Sequence, residues 1–153
     1  MQRPHRVLNV SVADQMLELW RPERPALRYP VSTSGYGTGS VEGSLKTPIG
    51  RFRIAEKIGS GAPPGMVFRG RVPTGEIGTE DAPEDLVQTR ILWLEGLEPH
   101  NANTYGRYIY IHGTNHESRI GSACSHGCVR MRNHDVAALF DLVEEGDEVW
   151  IRP

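Results

Sequence analysis

Along most of the chain, apolar and polar positions alternate in short runs, the period of half-buried strands rather than of helices. Residues 7–12 (Val-Leu-Asn-Val-Ser-Val) and 16–20 (Met-Leu-Glu-Leu-Trp) are two such runs, joined by the polar turn Ala13-Asp14-Gln15. A third covers residues 27–32, after the tight connection Arg21-Pro22-Glu23-Arg24-Pro25. Thr47-Pro48-Ile49-Gly50 is a turn that launches residues 51–55, where the alternation resumes. Strand character returns at 89–95 and at 107–111, separated by a polar turn over 98–103, and residues 148–152 form a closing strand.

One segment has the helical period instead. Val136, Leu139, Phe140 and Val143 fall at i, i+3, i+4 and i+7, with Asn133 as an N-cap, Asp135 in the first turn and Gly146 as a stop. This predicts a single helix over about 133–145. Two glycine-bearing stretches have neither period. Residues 35–40 (Gly-Tyr-Gly-Thr-Gly-Ser) lack the Lys-Ser/Thr ending of a phosphate-binding loop and read as a mobile surface loop. Residues 59–84 are rich in Gly, Pro and charge, with Met66-Val67-Phe68 as their one short strand. That segment reads as a flap beside a site rather than a packed subdomain. The pattern predicts a mainly β chain forming a single domain over residues 1–153.

Composition narrows this further. The chain has 153 residues, 38% hydrophobic and 24% charged, which suits one globular domain with a real core. Its 17 glycines and 11 prolines are together roughly 18% of the chain, against about 12% on average, which excludes an all-α fold. A formal net charge of −2 offers no strong field for nucleic acid or an anionic membrane. No apolar stretch approaches the ~20 residues of a membrane span. Residues 1–10 show no apolar signal-peptide core, so the sequence as it stands reads as cytoplasmic, and as periplasmic or wall-side if the native start lies further upstream. A monomer is expected.

The chemistry concentrates between Tyr108 and Arg132, which hold both cysteines and three of the six histidines. Three readings compete for these residues. Cys128 can serve as a nucleophilic thiol with a histidine to deprotonate it. Cys124, His126, Cys128, His112 and His116 can alternatively supply zinc ligands, although His112 and His116 share a face only on a helix and Gly113-Thr114-Asn115 opposes one. In the third reading the cysteines are small core residues and the histidines belong to turns.

Ser125-His126-Gly127-Cys128-Val129-Arg130, preceded by strand-borne His112-Gly113, resembles the signature of the L,D-transpeptidase catalytic domain of YkuD type. The resemblance extends to the early hairpins, to residues 30–35, to Thr47-Pro48-Ile49-Gly50-Arg51-Phe52 and to the Gly146-Asp147 turn. It implies a β-sandwich of mixed sheets with one helix packed at its end. It further implies that Cys128 is the nucleophile, that His112 deprotonates it, and that the Gly113 carbonyl orients His112. Gly127 and Cys128 would form the oxyanion hole, with His126, Arg130 and Ser125 on the substrate side and Arg130 alternatively bracing the loop. Cys124 has no part in the family mechanism. No metal or organic cofactor is implied.

The implied activity is acyl transfer on peptidoglycan stem tetrapeptides through a thioester, releasing D-alanine and forming 3→3 cross-links. Two alternatives accompany it. A cytoplasmic L,D-carboxypeptidase would hydrolyse recycled tetrapeptide muropeptides with the same residues. A non-catalytic wall-binding module would keep the fold without needing both His112 and Cys128.

Overall fold

In a computed structural model, residues 5–153 are described. Met1–Pro4, on which part of the signal-peptide reading rests, lie outside the described residues. The strands are β1 (Val7–Ser11), β2 (Met16–Trp20), β3 (Leu27–Ser32), β4 (Gly50–Ile58), β5 (Met66–Arg69), β6 (Val72–Ile77), β7 (Val87–Gly96), β8 (Tyr110–Thr114), β9 (Val129–Met131) and β10 (Glu148–Arg152). One α-helix, α1 (Asn133–Leu142), precedes β10.

All ten strands of the described residues belong to one sheet, in the order β4-β10-β1-β2-β3-β9-β8-β7-β5-β6, and β4 pairs back onto β7. The sheet therefore closes on itself like a barrel. This corrects the expected sandwich of separate mixed sheets. The reason lies in the length of β7: Val87 and Gln88 pair with β5, while residues from Ile91 to Gly96 on the same strand pair with β4. One edge of β7 thus holds two partners end to end, and the edge that would separate two sheets is closed. β1–β10 and β8–β9 are parallel, and the remaining pairs are antiparallel.

Alternation decides what the closed sheet contains. Leu8 and Val10 on β1, Leu17 and Leu19 on β2, Val149 and Ile151 on β10, and Phe52 and Ile54 on β4 all point into one core. Leu92, Leu94, Ile111, Val129 and Met131 continue it around the ring. Helix α1 lies against β7 and β8 and adds Val136, Leu139 and Phe140 to the same core. Burying a side chain of this size stabilises the fold by about 1.5–3 kcal/mol.

Several boundaries move from their expected places. The helix ends at Leu142, because Val143 is already extended at φ −115°, ψ 161°. Asn133 is the first helical residue rather than the cap, a position held by Arg132. Strand β8 begins at Tyr110 and not 107, since Tyr108 turns the chain with φ +58°. The 59–84 segment contains the β5–β6 hairpin, with Val67 and Phe68 buried, so it is a packed element and not a bare flap. Cys128 leads directly into β9, a strand of three residues, before the helix begins.

Candidate active site

Strands β8 and β9 run parallel, with Ile111 opposite Val129, His112 opposite Arg130 and Gly113 opposite Met131. Side chains alternate across a sheet. Ile111, Val129 and Met131 enter the main core, so His112 and Arg130 project from the other face, and one step back along each strand so do Tyr110 and Cys128. Strand β7 contributes Ile91 opposite His112 and Trp93 opposite Tyr110 on that same face. Phe68, Ile91, Trp93 and Tyr110 form a second apolar cluster, and Cys128 packs against it. The hairpin that carries Phe68 is therefore part of the wall of the site.

His112 is buried, and its Nδ1 lies 2.6 Å from the Gly113 carbonyl oxygen. A carbonyl only accepts, so Nδ1 carries the proton and Nε2 keeps its lone pair. Burial lowers the His112 pKa, an effect opposed by nearby Asp85 and by the Gly113 hydrogen bond. Gly113 has a steric reason to be glycine, since a Cβ there would meet Asn133 Oδ1 and come within 2.6 Å of the Gln88 carbonyl. Asn133 is a buried hub: its Oδ1 accepts from Thr89 Oγ1 at 2.6 Å, and its Nδ2 donates to the Thr114 carbonyl at 3.0 Å.

The Cys128 thiol sits between two tyrosine backbones. The Tyr110 N–H donates to Sγ at 3.3 Å, and the thiol donates to the Tyr108 carbonyl at 3.4 Å. Burial pushes the thiol pKa up to about 11, an effect that Tyr110 N–H, Arg130 and Arg107 oppose and Asp85 reinforces. In both groups burial favours the uncharged form, the thiol for Cys128 and the neutral imidazole for His112.

The turn before Cys128 is held from inside. Ser125 Oγ donates to the Cys128 carbonyl at 2.6 Å and accepts from the Gly127 N–H at 3.3 Å. Ser125 is buried, so its expected substrate contact gives way to bracing the turn. The Gly127 N–H, expected in the oxyanion hole, is thus engaged by Ser125 Oγ in this structure. Gly127 adopts φ +125°, a conformation that glycine reaches without strain. Thr47 Oγ1 donates to the Gly127 carbonyl at 2.9 Å, which ties the Thr-Pro-Ile-Gly turn to this loop.

Asp85 organises the remaining charge. Its carboxylate lies 2.7 Å from Arg130 Nη2 and 3.6 Å from His126 Nδ1. The Arg130 side chain is only 2% exposed, so this arginine braces the loop rather than reaching out to substrate. His126 is 54% exposed, with its ring 6.1 Å from that of Tyr36 on the glycine-rich 35–40 loop, so these two rings form one rim of the site. Nothing in the sequence pattern marked Asp85, which lies in an aperiodic stretch. Cys124 is half-buried, with Sγ 3.7 Å from Arg130 Nη1. The candidate zinc ligands do not converge: His116 is taken up by the Ala82 carbonyl at 2.8 Å. Among the described residues, no group of three or more His, Cys, Asp or Glu side chains is arranged to hold a metal ion.

This closed, mainly β fold is similar to the folds of solved L,D-transpeptidases. The structure of an L,D-transpeptidase from Mycobacterium smegmatis matches with a TM-score of 0.62 at 16% identity, over 98% of this chain and 59% of that one. One from Xylanimonas cellulosilytica matches with a TM-score of 0.61 at 18% identity, over 99% and 62%. The family model of the L,D-transpeptidase catalytic domain matches residues 5–151, and the chain belongs to that family. A Bacillus licheniformis protein that carries the name L,D-transpeptidase YkuD is 32% identical over 150 residues, 98% of this chain and 67% of that protein. The Bacillus subtilis protein of the same name is 31% identical over 93% of this chain and 63% of its own length. The chain spans about two thirds or less of these relatives.

Proposed function

We propose that this chain catalyses acyl transfer on peptidoglycan stem tetrapeptides, with Cys128 as nucleophile and His112 as its base. The observation that carries this reading is the arrangement of a buried His112 with Nδ1 fixed on the Gly113 carbonyl, on the strand adjoining the one that follows Cys128. A carbonyl fixes the tautomer as an aspartate would, without adding charge.

The thiol proton passes to His112 Nε2 as Sγ attacks the carbonyl carbon between the third stem residue and the terminal D-alanine. The oxyanion forms beside the Cys128 N–H, with the Gly127 N–H available once it turns from Ser125. Collapse breaks the C–N bond, His112 returns its proton to the departing D-alanine amine, and a thioester remains. The side-chain amine of a second stem then attacks the thioester, forming a 3→3 cross-link and restoring the thiol. Water in place of that amine gives a tripeptide. His126, on the exposed rim beside Tyr36, contacts the bound peptide.

The test is incubation with purified tetrapeptide muropeptides, followed by mass spectrometry. D-Alanine release with a dimer or tripeptide product, and a thioester adduct on Cys128, is the expected result. Intact substrate and an unmodified Cys128 would refute the reading. The ratio of dimer to tripeptide tells amine from water as the acceptor.

A further inference from the structure

Three arginines approach the tyrosines and loops around Cys128, and they are not equivalent. Arg130 is buried and neutralised by Asp85 at 2.7 Å. Arg107 donates Nη1 to the Gly39 carbonyl at 3.3 Å and Nη2 to the Lys46 carbonyl at 2.8 Å, holding the glycine-rich loop. Arg71 has neither commitment. Its guanidinium carbon lies 4.8 Å from the Trp93 ring centroid and 5.2 Å from that of Tyr108, and its Nη1 donates to the Tyr110 hydroxyl at 3.2 Å. Among the described residues, no carboxylate pairs with it.

The two tyrosines that hold Arg71 are those whose backbones hold the thiol. Trp93 completes the platform, stacked on Tyr105 at 4.0 Å and edge-on to Tyr110 at 5.6 Å. The arginine reaches this platform from the tip of the β5–β6 hairpin. Gly70 and Arg71 form its two-residue turn with φ +55° and +65°. Turns of that kind favour glycine or asparagine at both positions, because a Cβ is strained at positive φ. A guanidinium lying against aromatic faces, with one N–H on the Tyr110 hydroxyl, keeps its remaining N–H donors for a ligand, and a pair of them matches a carboxylate in two-point geometry.

We propose that Arg71 is a specificity-determining residue of the donor site, binding a free carboxylate of the peptide whose acyl group goes to Cys128. This rests on the acyl-transfer reading for the identity of the peptide, and not for the existence of the carboxylate site. Two carboxylates of the stem have the required chemistry: that of the terminal D-alanine, and that on the side chain of a diamino acid at the third position. Recognition of the first confines attack to the last peptide bond. Recognition of the second selects the third residue.

The experiment measures equilibrium binding of a tetrapeptide stem to the Cys128→Ala protein, with and without Arg71→Gln. Two derivatives accompany it, one with the terminal carboxylate converted to an amide and one with the side-chain carboxylate so converted. The full acid should bind about ten- to a hundredfold more weakly to the Arg71→Gln protein. The derivative lacking the recognised carboxylate should bind both proteins equally, and which derivative behaves so identifies the source. Arg71→Lys should restore part of the affinity. Equal weakening of all three peptides, or no weakening, overturns the proposal. Because binding is read without turnover, the two ideas fail separately. Peptide that binds in an Arg71-dependent way but never acylates wild-type Cys128 refutes the transferase reading and leaves the carboxylate site standing.

Discussion

The Nδ1 of His112 and the carbonyl oxygen of Gly113 lie 2.6 Å apart, so the residue that follows the histidine fixes its tautomer. Three features meet at this point: the Nε2 lone pair left free, a thiol one strand away, and a glycine that admits the Asn133 hub behind it. Each is testable separately.

Cys128→Ala should abolish D-alanine release while leaving the melting temperature near that of the wild type, because the thiol packs beside the second apolar cluster and its bonds to the Tyr110 N–H and the Tyr108 carbonyl are weak sulfur contacts. His112→Ala should lower turnover by about 10²–10⁴-fold, the usual contribution of a positioned base. His126→Ala should cost less, since that ring is exposed, and Cys124→Ala should remain active. Rates with one muropeptide at one pH check the ranking. A larger loss at His126 than at His112 would exchange their roles.

The pH profile should follow from the burial of both groups. Burial lowers the His112 pKa from its ordinary 6.5, so the acid limb of kcat/KM should fall below pH 6.5. Alkylation of Cys128 in the free enzyme should rise with pH towards about 11, the value to which burial pushes the thiol. Stability changes in the same direction. An unfolded His112 binds a proton below its ordinary pKa and the folded one does not, so stability should decrease as pH falls through 6.5 towards the folded pKa. An acid limb above 7, or an alkylation midpoint near 8, would contradict the burial argument.

Strands that are half-buried were legible in the sequence. Met16–Trp20 and Glu148–Arg152 alternate between core and solvent, and their ends are where the pattern puts them. β6 was not legible, because all of Val72–Ile77 is exposed and carries no alternation, and β9 has only three residues. Closure of the sheet was equally hidden: the β4–β7 pairing joins Phe52 to Gly96, a contact that no local period records. At the site, His112, Gly113 and Cys128 stood out by residue type and spacing. Asp85 and Arg71 did not, because both gain their meaning from what they meet across the fold, Arg130 for one and a tyrosine–tryptophan platform for the other.

Gly113→Ala should be destabilising by about 1–3 kcal/mol, from overpacking against fixed neighbours. The added methyl would come within 2.6 Å of the Gln88 carbonyl and 3.2 Å of Thr89 Cβ, and it would also press on Asn133 Oδ1, none of which is the free end of a long side chain. Denaturant unfolding measures the loss. If it exceeds the measured range of neutral surface substitutions and the remaining folded enzyme is also slow, the carbonyl that orients His112 has moved. A variant as stable as wild type would show that the Asn133 hub relaxes freely.

Asp85→Asn should affect stability and chemistry together. Arg130 is a buried guanidinium whose Nε has no partner, and Asp85 supplies its counter-charge at 2.7 Å. Removing that charge leaves Arg130 buried and uncompensated, a loss of about 2–4 kcal/mol, moderated because the Asp85 side chain is 25% exposed. Replacing both residues by an apolar pair of similar size should recover much of that loss, and the double-mutant cycle gives the coupling. The electrostatic consequence is separable from the structural one. Asp85 raises the His112 pKa, so its neutralisation should move the acid limb of kcat/KM further down in pH, a change that simple loosening of the loop does not predict. Neutralisation should also bring the Cys128 pKa down, since the carboxylate disfavours the thiolate. An Asp85→Asn protein with altered stability but unshifted pH dependence would make Asp85 a brace for Arg130 alone.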